Sequence, residues 1–550
     1  MMLQYRRWKW VFLLLPLFYM ICYAPYGINE SDGGFITGLA WQVLSGKTLY
    51  HDITYVRPPM SIWLRVLELH IFPENWAILA ERCMFYAKVT LYTYCAAAIL
   101  IKNEQKWALA AIGYVVSVHC YPAAAWHTVD GILWAVLGFW FLAEAQSTNK
   151  NTGYILAGAL SIVAASLCKQ SFYPLLVLWP LLLGCLFSWQ RLLIGITGMV
   201  ATAVFFVGYL YGQGVLYNYL KLTGGASESG QAVQHGIFDY FDINLSLVVL
   251  LLCVLAPLIL IQNERISKTL GSTYKALICC ILGALLLLLL PCSYLWVTFK
   301  NQAFTLPFAQ SRLLFDGAVL WGAWAWYRGH WSSVQTLRFA ALLGVSWCAG
   351  LSWGYSLPIL CAVPWVYAWM DIASVFGQKF VLPLRWRGAW QSWLLPVYFA
   401  LLLGVFGFAY TFLYNDGKRS DAQVHLGTIF PKLHGIYTSA AHAGLYRDLQ
   451  QLTTQYGPHF KTLPHFTLAN YLTNTFPVLP LDWVVLRESG RDNSLIDSTL
   501  NNHNLLFFVQ KAQMQRIQID PEMKFAQKVL EKGNIIAETP HFLVVRTNHE

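Results

Sequence analysis

Four charged residues lie close together in the segment that follows the first apolar stretch of the chain. Residues 28–64 read INESDGGFITGLAWQVLSGKTLYHDITYVRPPMSIWL. Glu30, Asp32 and Asp52 supply carboxylates, which can remove a proton from a hydroxyl group. Arg57 supplies a guanidinium, which can bind a phosphate through two parallel hydrogen bonds. The segment therefore predicts proton abstraction next to phosphate recognition.

Each of these residues also has a purely structural interpretation. Asp32 precedes a predicted helix and can serve as its N-cap. Asp52, in YHDITY, suits a turn. Arg57 lies beside a predicted membrane surface, where basic residues commonly contact lipid headgroups. The local sequence leaves these alternatives open.

Two further basic residues lie next to apolar runs on the side of the membrane predicted to be external. Lys169 follows such a run in ASLCKQSFYP, and Arg312 flanks another external connection. External basic residues are less common than cytosolic ones, so each needs a reason. One possible reason is that the side chain binds an anionic ligand. The alternative is that it extends to the membrane surface to keep its charge in water.

Metal ligation is not indicated by the histidines and cysteines. His434, His442, His459 and His465 lack the spacing of a zinc site, and we interpret them as scattered surface residues. The twelve cysteines include no C-x-x-C pair, which favours small buried apolar side chains. The sequence therefore indicates no certain cofactor, and a divalent metal is an open alternative that no motif supports.

The composition excludes a soluble globular protein. Hydrophobic residues make up 57% of the 550 residues and charged residues only 12%. Repeated apolar runs predict an all-α multi-pass membrane protein, in which every span satisfies its own backbone. The net charge is +10, but its basic residues are scattered singly between apolar runs. This pattern indicates membrane topology and no nucleic-acid partner.

About thirteen transmembrane helices are expected. The first follows MMLQYRRWKW and has no clear cleavage site, so we expect it to be retained. Basic residues concentrate in alternate connections, which predicts a cytosolic N-terminus and an external C-terminus in the inner (plasma) membrane. The remaining predicted spans are 77–100, 107–121, 128–145, 153–168, 172–188, 192–212, 242–261, 275–297, 312–327, 337–352, 357–376 and 391–414.

The first external loop, residues 28–76, contains two predicted helices. Apolar residues recur at helical spacing between Gly34 and Leu44, which suits a short helix lying on the membrane. Pro58-Pro59 can open a second helix from Met60 to Ile71. A second long connection, Gly212 to Asp242, can be either a mobile substrate loop or a plain flexible one.

The composition changes after Tyr414, which divides the chain into a transmembrane domain, 1–414, and a small C-terminal extracytoplasmic α/β domain, 415–550. The tail is long enough for a core of its own. AHAGLYRDLQQLTTQYG is predicted as a helix, and DWVVLRE, NLLFFVQ and HFLVVRT are predicted as strands.

The order of these features resembles the GT-C membrane glycosyltransferases. The branch concerned is the bacterial one related to protein O-mannosyltransferases and to aminoarabinose transferases acting on lipid A (families 39 and 83). The resemblance covers the overall layout, and its sharp motifs lie within residues 30–60. The matching segments are Asp32-Gly33-Gly34-Phe35, Gly46 to Asp52, Arg57-Pro58-Pro59, Lys169-Gln170, GIYTSAAHAGLYRDLQ and LPHF.

The resemblance implies an inverting transfer of a hexosyl or pentosyl group at the external face. The donor is a polyprenyl-phosphate-linked sugar, and the acceptor is a lipid, a glycan or a protein. Asp32 matches the family's acidic residue, and Arg57 matches a basic residue that contacts donor phosphate. Many members have a second acidic residue where this chain has Gly33, so Glu30 is an alternative base. Metal use varies across the family, and none is carried over.

Two other functions are considered. A lipid-linked oligosaccharide polymerase or ligase usually places its chemistry in a later external loop, whereas this chain concentrates its acidic residues in the first one. A transporter or flippase for lipid-linked sugars predicts charged residues within the spans and symmetry between the two halves. Arg82 and Lys88, in or beside the second span, keep that alternative open.

Overall fold

The computed structural model describes residues 2–119, 122–148, 151–224, 291–292, 294–302, 308–352, 358–380, 384–490, 494–502 and 504–547. The predicted span at 242–261 and most of the one at 275–297 lie outside the described residues. So does the Gly212–Asp242 connection beyond residue 224.

Helices dominate the described residues up to Ala409. α1 is Met2–Cys22, α2 Asp32–Leu44 and α3 Met60–Ile71. The following helices are α4 Ala77–Leu100, α5 Lys106–Val118, α6 His127–Ser147, α7 Asn151–Cys168, α8 Leu175–Leu186, α9 Trp189–Gly212 and α10 Leu216–Thr223. After the undescribed stretch come α11 Phe308–Tyr327, α12 Ser333–Ser352, α13 Val363–Phe380 and α14 Leu384–Ala409.

Four helical segments among the described residues are long and apolar enough to cross a membrane: Glu74–Leu100, His127–Ser147, Trp189–Gly212 and Ser333–Leu351. Other predicted spans coincide with shorter apolar helices, including Lys106–Val118 and Thr152–Cys168. The total of about thirteen spans stays a prediction. The predicted final span, 391–414, is wrong at its end, because the helix stops at Ala409. Phe412–Leu413 (β1) already pairs with Gly417–Lys418 (β2).

Both predicted helices of the first external loop are present. The second runs from Met60 to Ile71 as expected. The first begins two residues earlier than expected, at Asp32, and its residues Gly33 to Ala40 are all buried. It is therefore enclosed by protein along that length, which differs from the expected helix lying on a membrane surface. The difference arises because C-terminal segments cover it.

The C-terminal region contains the remaining strands. β3 (Val424–His425) pairs with β4 (Tyr437–Thr438). A four-stranded sheet contains β5 (Lys461–Leu463), β6 (Leu506–Gln510), β7 (Gly533–Glu538) and β8 (Phe542–Thr547) in the order β5-β6-β8-β7. β5 is parallel to β6, and the other two pairings are antiparallel. The helices are α15 Ala440–Tyr456, α16 Ala469–Thr473, α17 Ser494–Asn502, α18 Met514–Ile519 and α19 Lys524–Lys532.

Three of the four predicted C-terminal elements are confirmed: α15, β6 and β8. The predicted strand DWVVLRE is wrong, because it forms an irregular segment that ends in a short 3₁₀ helix, Leu486–Glu488. Val484 and Val485 are adjacent and both fully buried, so their side chains do not alternate between two faces as in a half-exposed strand. The segment carries Glu488 to the first external loop.

Several backbone contacts join the C-terminal region to the first external loop. The Leu468 amide donates to the Glu30 carbonyl at 3.2 Å, and the Thr54 amide donates to the Pro480 carbonyl at 2.7 Å. The Thr467 hydroxyl lies 3.0 Å from the Glu30 carbonyl oxygen. These bonds fix the loop that contains the candidate carboxylates.

Two glycines of α2 make this close approach possible. A Cβ atom on Gly34 would lie 2.8 Å from the Leu468 backbone nitrogen, and one on Gly38 would lie 3.0 Å from an Asp482 carboxylate oxygen. Both separations are shorter than ordinary contacts to a side chain, so glycine is required for space at Gly34 and favoured at Gly38. The DGGFITG sequence thus allows the C-terminal segments to pack directly on α2.

Candidate functional site

Asn29 organises the start of α2. Its side-chain oxygen accepts hydrogen bonds from the Ser31 hydroxyl at 2.9 Å and from the Asp32 amide at 3.2 Å. The N-cap position is Ser31, whose side chain makes no capping bond. The N-cap interpretation of Asp32 is therefore wrong, because Asn29 satisfies the amide and leaves the Asp32 carboxylate available for other contacts.

The Asp32 carboxylate lies between α2 and the loop after the final helix of the transmembrane region. It accepts hydrogen bonds from the Tyr414 hydroxyl at 3.3 Å and from Asn29 at 3.5 Å. Burial raises the pKa of Asp32 above its usual range, and the nearby charge of Glu30 adds to the increase. The two hydrogen bonds and the charge of Arg487 lower the pKa, but they offset the increase only partly. A carboxylate with a raised pKa is a stronger base than an ordinary one.

Phe35 lies one helical turn after Asp32 on α2 and contacts Arg57, the candidate phosphate-binding residue. The Arg57 guanidinium lies over the Phe35 ring, 5.5 Å from its centroid. Trp483 contacts the same ring, with centroids 5.6 Å apart. The Arg57 guanidinium therefore lies against a ring that α2 carries one helical turn after Asp32.

Arg57 forms a two-point ion pair with Glu488 of the C-terminal region. Both terminal nitrogens lie 2.5 Å from carboxylate oxygens of Glu488. The side chains are 16% and 2% exposed, respectively. Burial disfavours ionised Glu488, but the charges of Arg57, Arg487 and Lys169 outweigh it and hold the pKa of Glu488 below its usual range. Arg57 therefore pairs directly with this carboxylate, and Arg487 and Lys169 add positive charge in its vicinity.

Lys169 is placed near this cluster, as its effect on Glu488 indicates. It precedes the short 3₁₀ helix Gln170–Phe172, and the side-chain Nε2 of Gln170 donates to the Val56 carbonyl at 2.7 Å. That bond joins the end of α7 to the residue before Arg57. The structure thus brings Lys169 and Arg57 to the same side of the first loop.

Glu30 lies in a separate charged group with two residues of the C-terminal region. His442 Nε2 is 3.3 Å from a Glu30 carboxylate oxygen, and His442 Nδ1 is 3.3 Å from an Asp416 oxygen. The His442 side chain is 9% exposed and that of Asp416 is 0% exposed. Interpreting His442 as a surface histidine is therefore wrong, because two carboxylates enclose it.

Of the two remaining predicted site residues, Asp52 lies in an exposed turn. Its carboxylate accepts from the Thr48 amide at 2.8 Å and contacts the His51 ring at 2.9 Å. These hydrogen bonds lower the pKa of Asp52, as expected for the turn residue that the sequence left as an alternative. Arg312 lies on α11, and its role at the site stays a prediction.

A buried network of five charges lies behind α2. Arg65 contacts Glu68 at 3.0 Å and Glu81 at 2.8 Å, and Lys88 contacts Glu68 and Asp130, both at 2.8 Å. The network joins α3, α4 and α6. It fixes the second loop helix to two helices of the apolar region, since each buried charge has an oppositely charged neighbour.

Within the ranges that the structure describes, no group of three or more histidine, cysteine or acidic residues has the geometry to hold a metal ion. Around the site, the described side chains instead present carboxylates, arginines and aromatic rings.

Sequence reasoning missed four residues of the site: Tyr414, Asp416, His442 and Glu488. The last three come from the C-terminal part, and their proximity to the first loop depends on tertiary packing. One signal was present, because GIYTSAAHAGLYRDLQ contains His442 and was part of the family resemblance. No local pattern indicates that this stretch contacts Glu30.

No family model and no curated protein sequence matches the chain. Solved structures are similar over nearly its whole length. ArnT from Cupriavidus metallidurans bound to undecaprenyl phosphate is 12% identical with a TM-score of 0.47, and covers 98% of both chains. The apo state of the same protein is 12% identical to this chain, with a TM-score of 0.41 and the same coverage. The Archaeoglobus fulgidus oligosaccharyltransferase, in complex with Zn and sulfate, is 10% identical with a TM-score of 0.39. The match covers 98% of this chain and 73% of the oligosaccharyltransferase chain.

Proposed function

We propose that this chain is a membrane glycosyltransferase that moves a sugar from a polyprenyl-phosphate donor to an acceptor hydroxyl. The transfer takes place at the external face of the membrane, with the C-terminal domain, 415–550, on the same side. The acceptor is a lipid, a glycan or a protein. The observation that carries the proposal is the arrangement around Phe35, which follows Asp32 by one turn of α2 and whose ring contacts the Arg57 guanidinium.

Asp32 is the proposed base. Its carboxylate takes the proton of the acceptor hydroxyl, and the acceptor oxygen attacks the anomeric carbon of the donor sugar. The bond from that carbon to the phosphate oxygen breaks, and polyprenyl phosphate leaves from the opposite face, so the configuration inverts. The raised pKa of Asp32 supports this role, because it makes the carboxylate a better proton acceptor.

Arg57 and Lys169 are the proposed contacts for the donor phosphate, with Arg312 as a third. Negative charge on the phosphate grows as the sugar leaves, and cations placed there in advance stabilise it. Glu488 occupies both terminal nitrogens of Arg57. A phosphate therefore has to bind the remaining edge of the guanidinium or take the place of Glu488, which is also an anion with paired oxygens.

The first test measures sugar transfer from a panel of radiolabelled polyprenyl-phosphate sugars to membrane extracts. Asp32→Asn removes the base and keeps the shape, and we expect it to lower transfer by about 100-fold or more. Asp421→Asn is the matched control, because Asp421 is exposed in a C-terminal turn. Transfer that survives Asp32→Asn at equal expression would contradict the assignment.

Arg57 requires a paired design, because Arg57→Ala alone leaves Glu488 buried without its partner. The double variant Arg57→Gln/Glu488→Gln removes both charges and keeps similar volume. We expect it to raise the donor KM and lower kcat, with Arg546→Ala, on an exposed position of β8, as the control. Unchanged kinetics in the double variant would contradict a phosphate role for Arg57.

One observation favours a second candidate, a transporter or flippase for lipid-linked sugars. The Lys88–Asp130 ion pair joins α4 and α6, both long and apolar enough to cross a membrane, and ionisable residues within spans often serve transport. Arg82 is accounted for differently, since it donates to the carbonyls of Tyr26 and Gly27. Movement of a labelled lipid-linked sugar across vesicles, without transfer, would favour this candidate.

A further inference from the structure

We propose that His442 is a positioning residue, which holds Glu30 in an ion pair and so leaves Asp32 as the acting base. This inference rests on the proposed function and selects between the two carboxylates that the sequence offered. His442 itself does not contact Asp32 in the described structure. It acts through Glu30, two residues before Asp32 in the chain.

The geometry places His442 between two carboxylates from different parts of the chain. Glu30 follows α1, Asp416 lies in the turn between β1 and β2, and His442 lies in the first turn of α15. Both ring nitrogens are 3.3 Å from a carboxylate oxygen. An imidazole with a carboxylate close to each nitrogen is favoured in its protonated, positively charged form, because both neighbouring negative charges attract it.

Asp416 is in turn held firmly. One of its oxygens accepts from the Ser439 amide at 3.2 Å and from the Ser439 hydroxyl at 2.8 Å, and the other accepts from Thr438. The Ser439 hydroxyl also accepts from the His442 amide at 3.2 Å, which caps α15. Asp416 and the helix cap together fix the position from which His442 reaches Glu30.

The ion pair removes Glu30 from competition as a base. The Glu30 carboxylate is held 3.3 Å from His442 Nε2 and is therefore not placed to take a proton from an acceptor hydroxyl. Its negative charge is also partly neutralised, which limits its repulsion of the nearby Asp32 carboxylate. His442 therefore acts on both candidates, because it holds the Glu30 carboxylate in place and offsets the negative charge that Glu30 directs at Asp32.

Other charged and titratable groups lie near Glu30 and Asp32. Asp32 also faces Arg487 and Tyr414, and Glu30 affects His465 and Tyr446. Burial and the charges of Arg516 and Arg487 lower the pKa of His465 to about 4, so His465 stays neutral near pH 7. Among these groups His442 alone has an ion-pair contact with Glu30 in the described residues.

The test compares the pH dependence of kcat/KM for sugar transfer in the wild type and four variants. His442→Gln leaves Glu30 without its cation, so we expect the acidic limb to move to higher pH. Glu30→Gln removes the repulsion on Asp32, so we expect the limb to move to lower pH. The double variant should return toward the wild type, and His442→Lys, which restores a positive charge, should reverse part of the His442→Gln shift.

His459→Gln is the control, because His459 is exposed in the same region. A purely structural role predicts lower activity in both single variants without opposite shifts of the limb, and that result would overturn the inference. Glu30→Gln without activity, at normal expression and folding, would also overturn it, since Glu30 would then be required for the chemistry. Absence of transfer by the wild-type protein from every donor of the panel contradicts the proposed function itself, which keeps the two failures distinct.

Discussion

At the scale of single residues, the site depends on how burial and neighbours distribute charge among similar side chains. Asp32, Glu30 and Asp52 are all carboxylates of one loop. Asp32 has a raised pKa, Asp52 has a lowered pKa, and Glu30 is paired with His442. Side-chain type alone could not distinguish them, because the differences come from what each carboxylate touches.

Asp32 should give transfer a distinct acidic limb. Its raised pKa means that the carboxylate takes up a proton at a higher pH than an ordinary aspartate, whose pKa is about 3.9. As pH falls through this raised value, the base becomes protonated and kcat/KM should fall tenfold per unit. The measurement is the pH profile of kcat/KM for sugar transfer to the acceptor at a saturating acceptor concentration. A limb at or below the ordinary aspartate value would contradict the assignment.

Arg65 offers a second test at this scale, on stability. Arg65→Met should leave Glu68 and Glu81 buried with less compensation and lower the free energy of unfolding by about 3–5 kcal/mol. Arg516 is a fitting control, since its ion pair with Asp520 is more exposed and Arg516→Met should cost at most about 1 kcal/mol. Thermal unfolding in detergent would compare them, and equal losses would contradict a structural role for the buried network.

At the scale of elements, the decisive feature is how closely the C-terminal segments pack on α2. Gly34 and Gly38 face Leu468 and Asp482, and the Asp482 carboxylate also binds Lys461 at 2.8 Å and Gln42 at 3.4 Å. The irregular segment around residues 482–488 therefore serves as a contact surface for the first loop. A regular strand there would not present Asp482 to α2 and Glu488 to Arg57 in the same way.

Gly34→Ala tests this packing. The added methyl group would meet the Leu468 backbone at 2.8 Å, so the segment has to shift, at a cost of about 1–3 kcal/mol. We expect a lower unfolding temperature and faster proteolysis within residues 415–550. Gly153→Ala is the matched control, because nothing lies within 4 Å of its added Cβ. If the two variants behave alike, the close packing is not important for stability.

At the scale of the whole molecule, the transmembrane and C-terminal regions form the site together. Glu488 reaches Arg57, His442 reaches Glu30, and Tyr414 reaches Asp32. Each contact joins residues nearly four hundred or more positions apart in sequence. We therefore expect the C-terminal region to be necessary for the charge state and position of the first-loop carboxylates.

The pH dependence of this association follows from His442. Burial opposes its charge, but Glu30 and Asp416 together raise the pKa of His442 to about 10. A raised pKa means that the stabilisation is fully present below about pH 6.5, the ordinary histidine value, and is lost as pH rises through about 10. The unfolding temperature should fall over that window, and His442→Gln should flatten the decrease. A wild-type curve that matches His442→Gln would contradict this account.

The sequence by itself determined the features that depend on local composition. Apolar runs specify the helices of the transmembrane region, Pro58-Pro59 precedes α3 as expected, and alternating or periodic apolar residues specify α15, β6 and β8. The residues 30–57 also identified where to look for chemistry. These features were predictable because hydrophobic periodicity and proline geometry act within a few residues of the chain.

Only the tertiary structure decided which carboxylate is buried, which is paired and which lies in a turn. It also showed that DWVVLRE contacts the first loop instead of forming a strand, and that His442 is enclosed between Glu30 and Asp416. The physical reason is that desolvation and ion pairing depend on distances in space. Residues hundreds of positions apart set these quantities here, and no local pattern records which of them will meet.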